Sequence, residues 1–167
     1  DYLGWKDSFA DPRYTERQKA YARQNDKSSV YTPHFVLQGY EQLKGNRTHQ
    51  VAEMLTRLDE MPSPVSLEVS RTGGTVNVVL RAETALDRPV EVALVRYAPQ
   101  AEVEITRGEN AGRTIEYVNI VTDWQTRAEW DGARPAEYSF EIEGDDALAV
   151  IVQRAGQGMI LAAARVD

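Results

Sequence analysis

Val30-Tyr31-Thr32-Pro33-His34-Phe35-Val36 sets a Thr-Pro step at the mouth of an apolar strand. Upstream, Asp11-Pro12 reads as a helix start, with Asp as N-cap and Pro at the first helical position, where its missing N–H costs nothing. Tyr14, Gln18 and Tyr21 share one face of that helix, and Asn25-Asp26 ends it. The strand is expected over Tyr31–Gln38. Gly39 permits a tight turn into a short strand over Tyr40–Leu43. Val51, Met54, Leu55, Leu58 and Met61 recur at helical spacing, in a helix starting near Asn46 or Thr48 and stopped by Pro62 and Pro64. Residues 1–61 thus read as one α/β unit of order helix, strand, strand, helix.

A Thr-Pro step in that setting resembles the opening of the second half of a thioredoxin-type domain. In such domains the proline is cis and faces a pair of cysteines on the preceding βα unit. This chain has no cysteine. On the functional reading, Thr32 and Pro33 form a cis step that exposes backbone to an extended substrate, and His34 lines the same groove. The plainer reading is a trans-proline opening an edge strand, which sheets tolerate.

Pro62-Ser63-Pro64 reads as a linker, and beyond it the apolar period changes from 3.6 to 2. Val65, Leu67 and Val69 alternate with Ser66, Glu68 and Ser70. Gly73-Gly74 turns the chain into a second strand over Thr75–Ala82. Further strands are expected over Val90–Tyr97, Ala101–Thr106, Thr114 to about Trp124, Glu137–Ile142, Ala147–Gln153 and Met159–Val166. Turn signals separate them, among them Asp131-Gly132 and Gly156-Gln157-Gly158. Short strands at this spacing indicate an antiparallel β-sandwich-like domain over residues 65–167. The whole chain reads as α+β. All four lysines, Lys6, Lys19, Lys27 and Lys44, fall before the linker, and only arginine supplies cations after it.

A net charge of −7 argues against non-specific nucleic-acid binding, which needs a basic face to displace phosphate counterions. No apolar run approaches the ~20 residues of a membrane-spanning helix. His34 and His49 stand apart, without cysteine or suitably spaced carboxylates, so neither a metal site nor a cofactor is expected. No serine sits in a Gly-x-Ser-x-Gly elbow. Asp145-Asp146 reads as solvated turn chemistry and His49 as a surface helix residue.

Arg107-Gly108-Glu109-Asn110-Ala111-Gly112-Arg113 crowds two arginines and two glycines between two strands. One reading is a binding or interface loop: glycine lets backbone approach a ligand, and arginine offers a two-pronged donor. At least one of Arg107 and Arg113 would then reach across to the first unit, or to a segment of it missing from these residues, while Glu109 and Asn110 hold the loop's shape. The other reading is a long hairpin loop held by its own bonds. Asp1-Tyr2-Leu3-Gly4-Trp5-Lys6-Asp7 divides similarly, between lining a cleft and packing its rings on a neighbouring unit.

Asp1–Asp7, Ser29–Pro33 and Arg107–Arg113 followed by Asn119-Ile120-Val121 together resemble the DUF1223 family, bacterial proteins that are usually exported. The resemblance spans essentially the whole chain. It implies a thioredoxin-like domain followed by a β-rich one, in a periplasmic or secreted protein. It also implies an N-terminal segment, carrying the cysteine-containing turn, that is not among these residues. Ser8 stands where the family leads one to expect proline, and His34 where Gln or Met is expected. The chain opens without an initiating Met or a basic leader, and is expected to be a processed form or a fragment. Two functions follow as expectations. One is a thiol–disulfide role for the intact precursor, absent from this chain because the thiolate is the nucleophile. The other is a non-catalytic binding or assembly module. Either way, another piece of polypeptide is expected to complete the first sheet, whose open edge is otherwise an aggregation hazard.

Overall fold

The computed structural model describes residues 9–24, 31, 34–44, 48–108 and 111–166. The chain is α+β, with two helices and antiparallel sheets among the described residues. Helix α1 spans Pro12–Gln24. Its start is set as the sequence predicts: the Arg13 amide donates to Asp11 Oδ1 at 2.7 Å, and the Tyr14 amide to the Asp11 carbonyl at 3.0 Å. Strands β1 (His34–Leu37) and β2 (Glu41–Lys44) form a two-stranded hairpin, and helix α2 covers Thr48–Asp59. Gln38 and Gly39 both take positive φ at the hairpin turn, closed by the Tyr40 amide donating to the Leu37 carbonyl at 2.9 Å.

Every described helix or strand element after α2 is a strand. β3 (Val65–Thr72), β4 (Thr75–Ala82) and β7 (Ala136–Glu141) make one sheet, with β4 central. β5 (Val90–Glu104), β6 (Thr114–Trp130), β8 (Ala147–Arg154) and β9 (Ile160–Val166) make the other, in the order β6-β5-β8-β9. The period of two puts Val76, Val78 and Leu80 on one face of β4. They meet Val90, Val92 and Leu94 of β5 and Leu148, Val150 and Val152 of β8 in a single core, closed by Trp130, Phe140 and Leu161. Each such side chain contributes about 1.5–3 kcal/mol by leaving water.

Two strands are longer than the sequence suggests. Val90–Tyr97 and Ala101–Thr106 read as separate strands in the sequence, yet β5 runs through Pro99 between them to Glu104. Pro99 sits opposite Asn119, which takes a φ of 52°; neither joins the ladder, and pairing resumes on both sides at Ala98–Ile120 and Gln100–Val118. β6 likewise continues past Trp124 to Trp130, through an irregularity opposite Val92 and Ala93. Beyond Tyr97, β5 pairs with β6 alone among the described strands, so the two form a ribbon extending from the sheet.

The inner face of the four-stranded sheet is the core. Its outer face carries Glu91, Ala93 and Val95 of β5, Gln153 of β8, and Trp124 and Thr126 of β6. Helix α1 joins this face through Arg13, Arg17 and Tyr21. The β1–β2 turn also joins the second sheet: the Ile160 amide donates to the Gln38 carbonyl at 2.8 Å. Gly39 lies so close to Gly158 that a side chain there would collide with the Gly158 carbonyl. Ser63, between Pro62 and Pro64, has its hydroxyl 2.7 Å from the carbonyls of both Val65 and Leu161, sharing its one proton between them and tying this segment to β9.

Candidate functional site

Arg13 and Arg17 stand four residues apart on α1, so both project from the same side of the helix. Arg13 reaches β6, with Nη1 3.1 Å from Asp123 Oδ1, and also pairs with Asp11 at 3.0 Å. The hydrogen bond from Arg13 holds the Asp11 carboxyl below the usual range. Burial pushes Asp123 up, but bonds from Gln125 and Arg13 outweigh it and leave this carboxyl low too.

Arg17 is different. It is half-buried, and its hydrogen-bond partners are neutral: Nη2 donates to Gln153 Oε1 at 2.7 Å and to the Tyr21 hydroxyl at 3.0 Å. Its guanidinium lies over the Trp124 ring, 3.7 Å from the centroid, a close cation–π contact. Burial pushes its pKa down, against the favourable influence of Tyr21 and Glu91. Gln153 is 1 % exposed and is the buried polar side chain that anchors this arrangement. Its Nε2 donates to the Tyr21 hydroxyl and to the Gly158 carbonyl, each at 2.7 Å. Gln24, one helical turn beyond Tyr21, donates to the Gly156 carbonyl.

Between α1 and the outer face of β5 and β6 lies a cleft of about 600 Å³, lined by Arg13, Arg17, Ala20 and Arg23 on one side and by Glu91, Trp124 and Thr126 on the other. A second cleft of about 430 Å³ lies along the helix toward β1 and contains His34, Gln18 and Phe9. Tyr14 and Arg17 line both. The Tyr14 hydroxyl is buried and meets no hydrogen-bond partner among the described residues.

The family model described as a protein of unknown function (DUF1223) matches residues 1–153. The chain belongs to the DUF1223 family. A crystal structure of a protein from Agrobacterium tumefaciens, a structural-genomics target, aligns with this DUF1223 chain at 25% identity and a TM-score of 0.79. The alignment covers 99% of this chain and 74% of that one. No curated protein matches it.

Of the groove residues read from the sequence, Thr32 and Pro33 lie outside the described residues, as do the Asp1–Asp7 segment and the loop residues Glu109 and Asn110. His34 opens β1 and packs at a tilt against the Tyr31 ring, centroids 4.7 Å apart. Its Nδ1 lies 3.5 Å from Gln18 Nε2 and its Nε2 3.2 Å from Gln42 Oε1, a pattern that suits the tautomer protonated on Nε2. Arg107 and Arg113 flank a loop closed by backbone bonds from the Ile105 amide to the Arg113 carbonyl and from the Gly112 amide to the Ile105 carbonyl. Both side chains are exposed, and neither guanidinium has a partner among the described residues. Arg13 and Arg17 of α1 are the arginines seen to reach β6 and β8 among the described residues. Arg17, Trp124 and Gln153 were not singled out from the sequence. The available signals were the Arg13–Arg17 spacing beside Tyr21, and a glutamine closing the apolar run Leu148–Val152.

Proposed function

We propose that this DUF1223 chain is a non-catalytic binding module whose ligand face is the cleft between α1 and β6. One observation carries the reading: a half-buried arginine, bonded only to neutral groups and stacked on a tryptophan, lines a cleft of small-molecule size. Buried charges are ordinarily paired, so a cation left without a carboxylate at a cleft wall is poised to meet one from outside. The Arg107–Arg113 loop is a second contact surface on this reading, with Glu109 and Asn110 shaping it and both flanking arginines turned to solvent. A library of small fragments, titrated into isotope-labelled protein and followed by the Trp124 indole and α1 amide resonances, tests the proposal. Hits that move those signals support it, and a library silent at the cleft removes it.

A second reading has its own support. The order α1, β1, β2, α2 matches that of the second half of a thioredoxin-like domain, with residues 1–61 as that unit, 62–64 as linker and 65–167 as the β-rich domain. Thr32, Pro33 and His34 would then border its substrate groove, and a cysteine outside these residues would supply thiol chemistry. Phe35 is 42% exposed on β1, which is hydrogen-bonded to β2 alone among the described strands, and this supports completion of the sheet by further polypeptide. The Cβ and Cγ shifts of Pro33 test the ancestry: cis values support it, and trans values remove it. Family membership supports a periplasmic or secreted setting in a bacterial envelope. No described helix is long and apolar enough to cross a membrane.

A further inference from the structure

We infer that the cleft between α1 and β6 takes a carboxylate carried on an apolar body, gripped by Arg17 and Arg23 and laid along Trp124. The inference rests on the binding-module reading above and specifies its ligand. Three arginines line the cleft, but they are not equivalent. Arg13 is held by Asp11 and Asp123 and has little left to offer. Arg17 spends only Nη2, on Gln153 and Tyr21, so Nη1 and Nε have no partner among the described residues. Arg23 lines the same wall, exposed, with no hydrogen bond or ion pair among the described residues. A planar carboxylate is the group a guanidinium edge matches best, through two parallel N–H···O bonds.

The remaining lining limits the charge of the guest. Glu16 and Glu91 border the cleft, and both repel anions. Glu91 influences Arg17 without pairing to it. Glu16 is paired with Lys19 at 2.7 Å, so Arg17 and Arg23 set against Glu91 accommodate a single negative charge and disfavour a dianion such as phosphate. Pro12, Ala20 and the Trp124 ring give the rest of the guest an apolar surface. The carboxylate can belong to a free organic acid or to the end of a peptide chain, since both present the same group.

Titrations of the labelled protein with benzoate, benzamide, inorganic phosphate, and an Ala-Ala-Phe peptide bearing a free or amidated C-terminus test this. Benzoate should move the Trp124 indole N–H and the Arg17 Nε–H signals. Benzamide, its neutral counterpart, should bind at least about tenfold more weakly, the order expected for loss of one charge-assisted contact. Binding by the free-acid peptide but not the amide assigns the site to chain ends, and binding by benzoate alone assigns it to small acids. Arg23→Gln touches no structural contact and should weaken benzoate about five- to tenfold with an unchanged melting profile. Arg17→Lys keeps the charge but loses the planar fork, and should weaken it further. Equal binding of benzoate and benzamide, tighter binding of phosphate, or full affinity in Arg23→Gln overturns the inference. The binding-module reading survives those results if neutral fragments still occupy the cleft, and falls only if no fragment does.

Discussion

Replacing Gln153 by leucine tests whether the α1 arrangement rests on one buried amide. Gln153→Leu keeps the side chain's approximate volume and deletes three hydrogen bonds. The bond from Arg17 is charge-assisted and contributes about 1.5–3 kcal/mol, while those to Tyr21 and Gly158 contribute about 0.5–1.5 kcal/mol each. Together that is about 2.5–6 kcal/mol, and leucine's greater apolarity offsets about 1 kcal/mol of it. The expected loss is therefore about 1.5–5 kcal/mol, read as a lowered denaturant midpoint in tryptophan fluorescence. Tyr21→Phe removes only the shared hydroxyl and should cost about 1 kcal/mol. Because Gln153 and Tyr21 share a bond, the double variant should lose less than the sum of the singles. A Gln153→Leu protein within about 0.5 kcal/mol of the parent, or strict additivity in the cycle, refutes the reasoning.

Gly39→Ala and Gly156→Ala both place a side chain at positive φ, with a cost of about 1–2 kcal/mol, but only Gly39 also meets a carbonyl; denaturant midpoints should show the first variant clearly less stable. Asp11 and Asp123 have depressed native pKa values, so their stabilisation is present above the unfolded value near ~3.9 and is lost as pH falls through the lower native values. Arg13→Gln should flatten that acid limb in a stability-against-pH series, and an unchanged limb would contradict the assignment. The chain contains no cysteine, so residues 1–167 should show no insulin reduction above a boiled control.

Much of the fold was legible because local chemistry and final structure agree. Asp11-Pro12 caps a helix whatever it packs against, and Val65–Ala82 alternates so regularly around Gly73-Gly74 that one register is favoured. The ribbon was not legible. Pro99 normally ends a strand, and only its placement opposite Asn119, outside the ladder, lets β5 continue. Gln125-Thr126-Arg127-Ala128-Glu129 has the polarity of a turn, yet it pairs with β5 because one edge of the sheet faces solvent. The site was legible only in part. His34 could be found from its neighbours in sequence. Arg17, Trp124 and Gln153 stand more than a hundred, or nearly thirty, positions from one another, and only the packing of α1 on the second sheet brings them together.

The ribbon beyond Tyr97 has a dynamic consequence. From Ala98 to Glu104, β5 has a single neighbour among the described strands, and an isolated two-stranded hairpin is marginal in water. That stretch opens locally at a free energy well below that of the whole molecule. Its amides should exchange with solvent early, while Val90–Val95, flanked on both sides, stay protected until global unfolding. Phe9 meets Tyr117 of the ribbon edge-on, with centroids 5.7 Å apart, just two residues before the Asp11 cap. An opening of the ribbon therefore loosens the chain at the root of α1, next to the helix that walls both clefts.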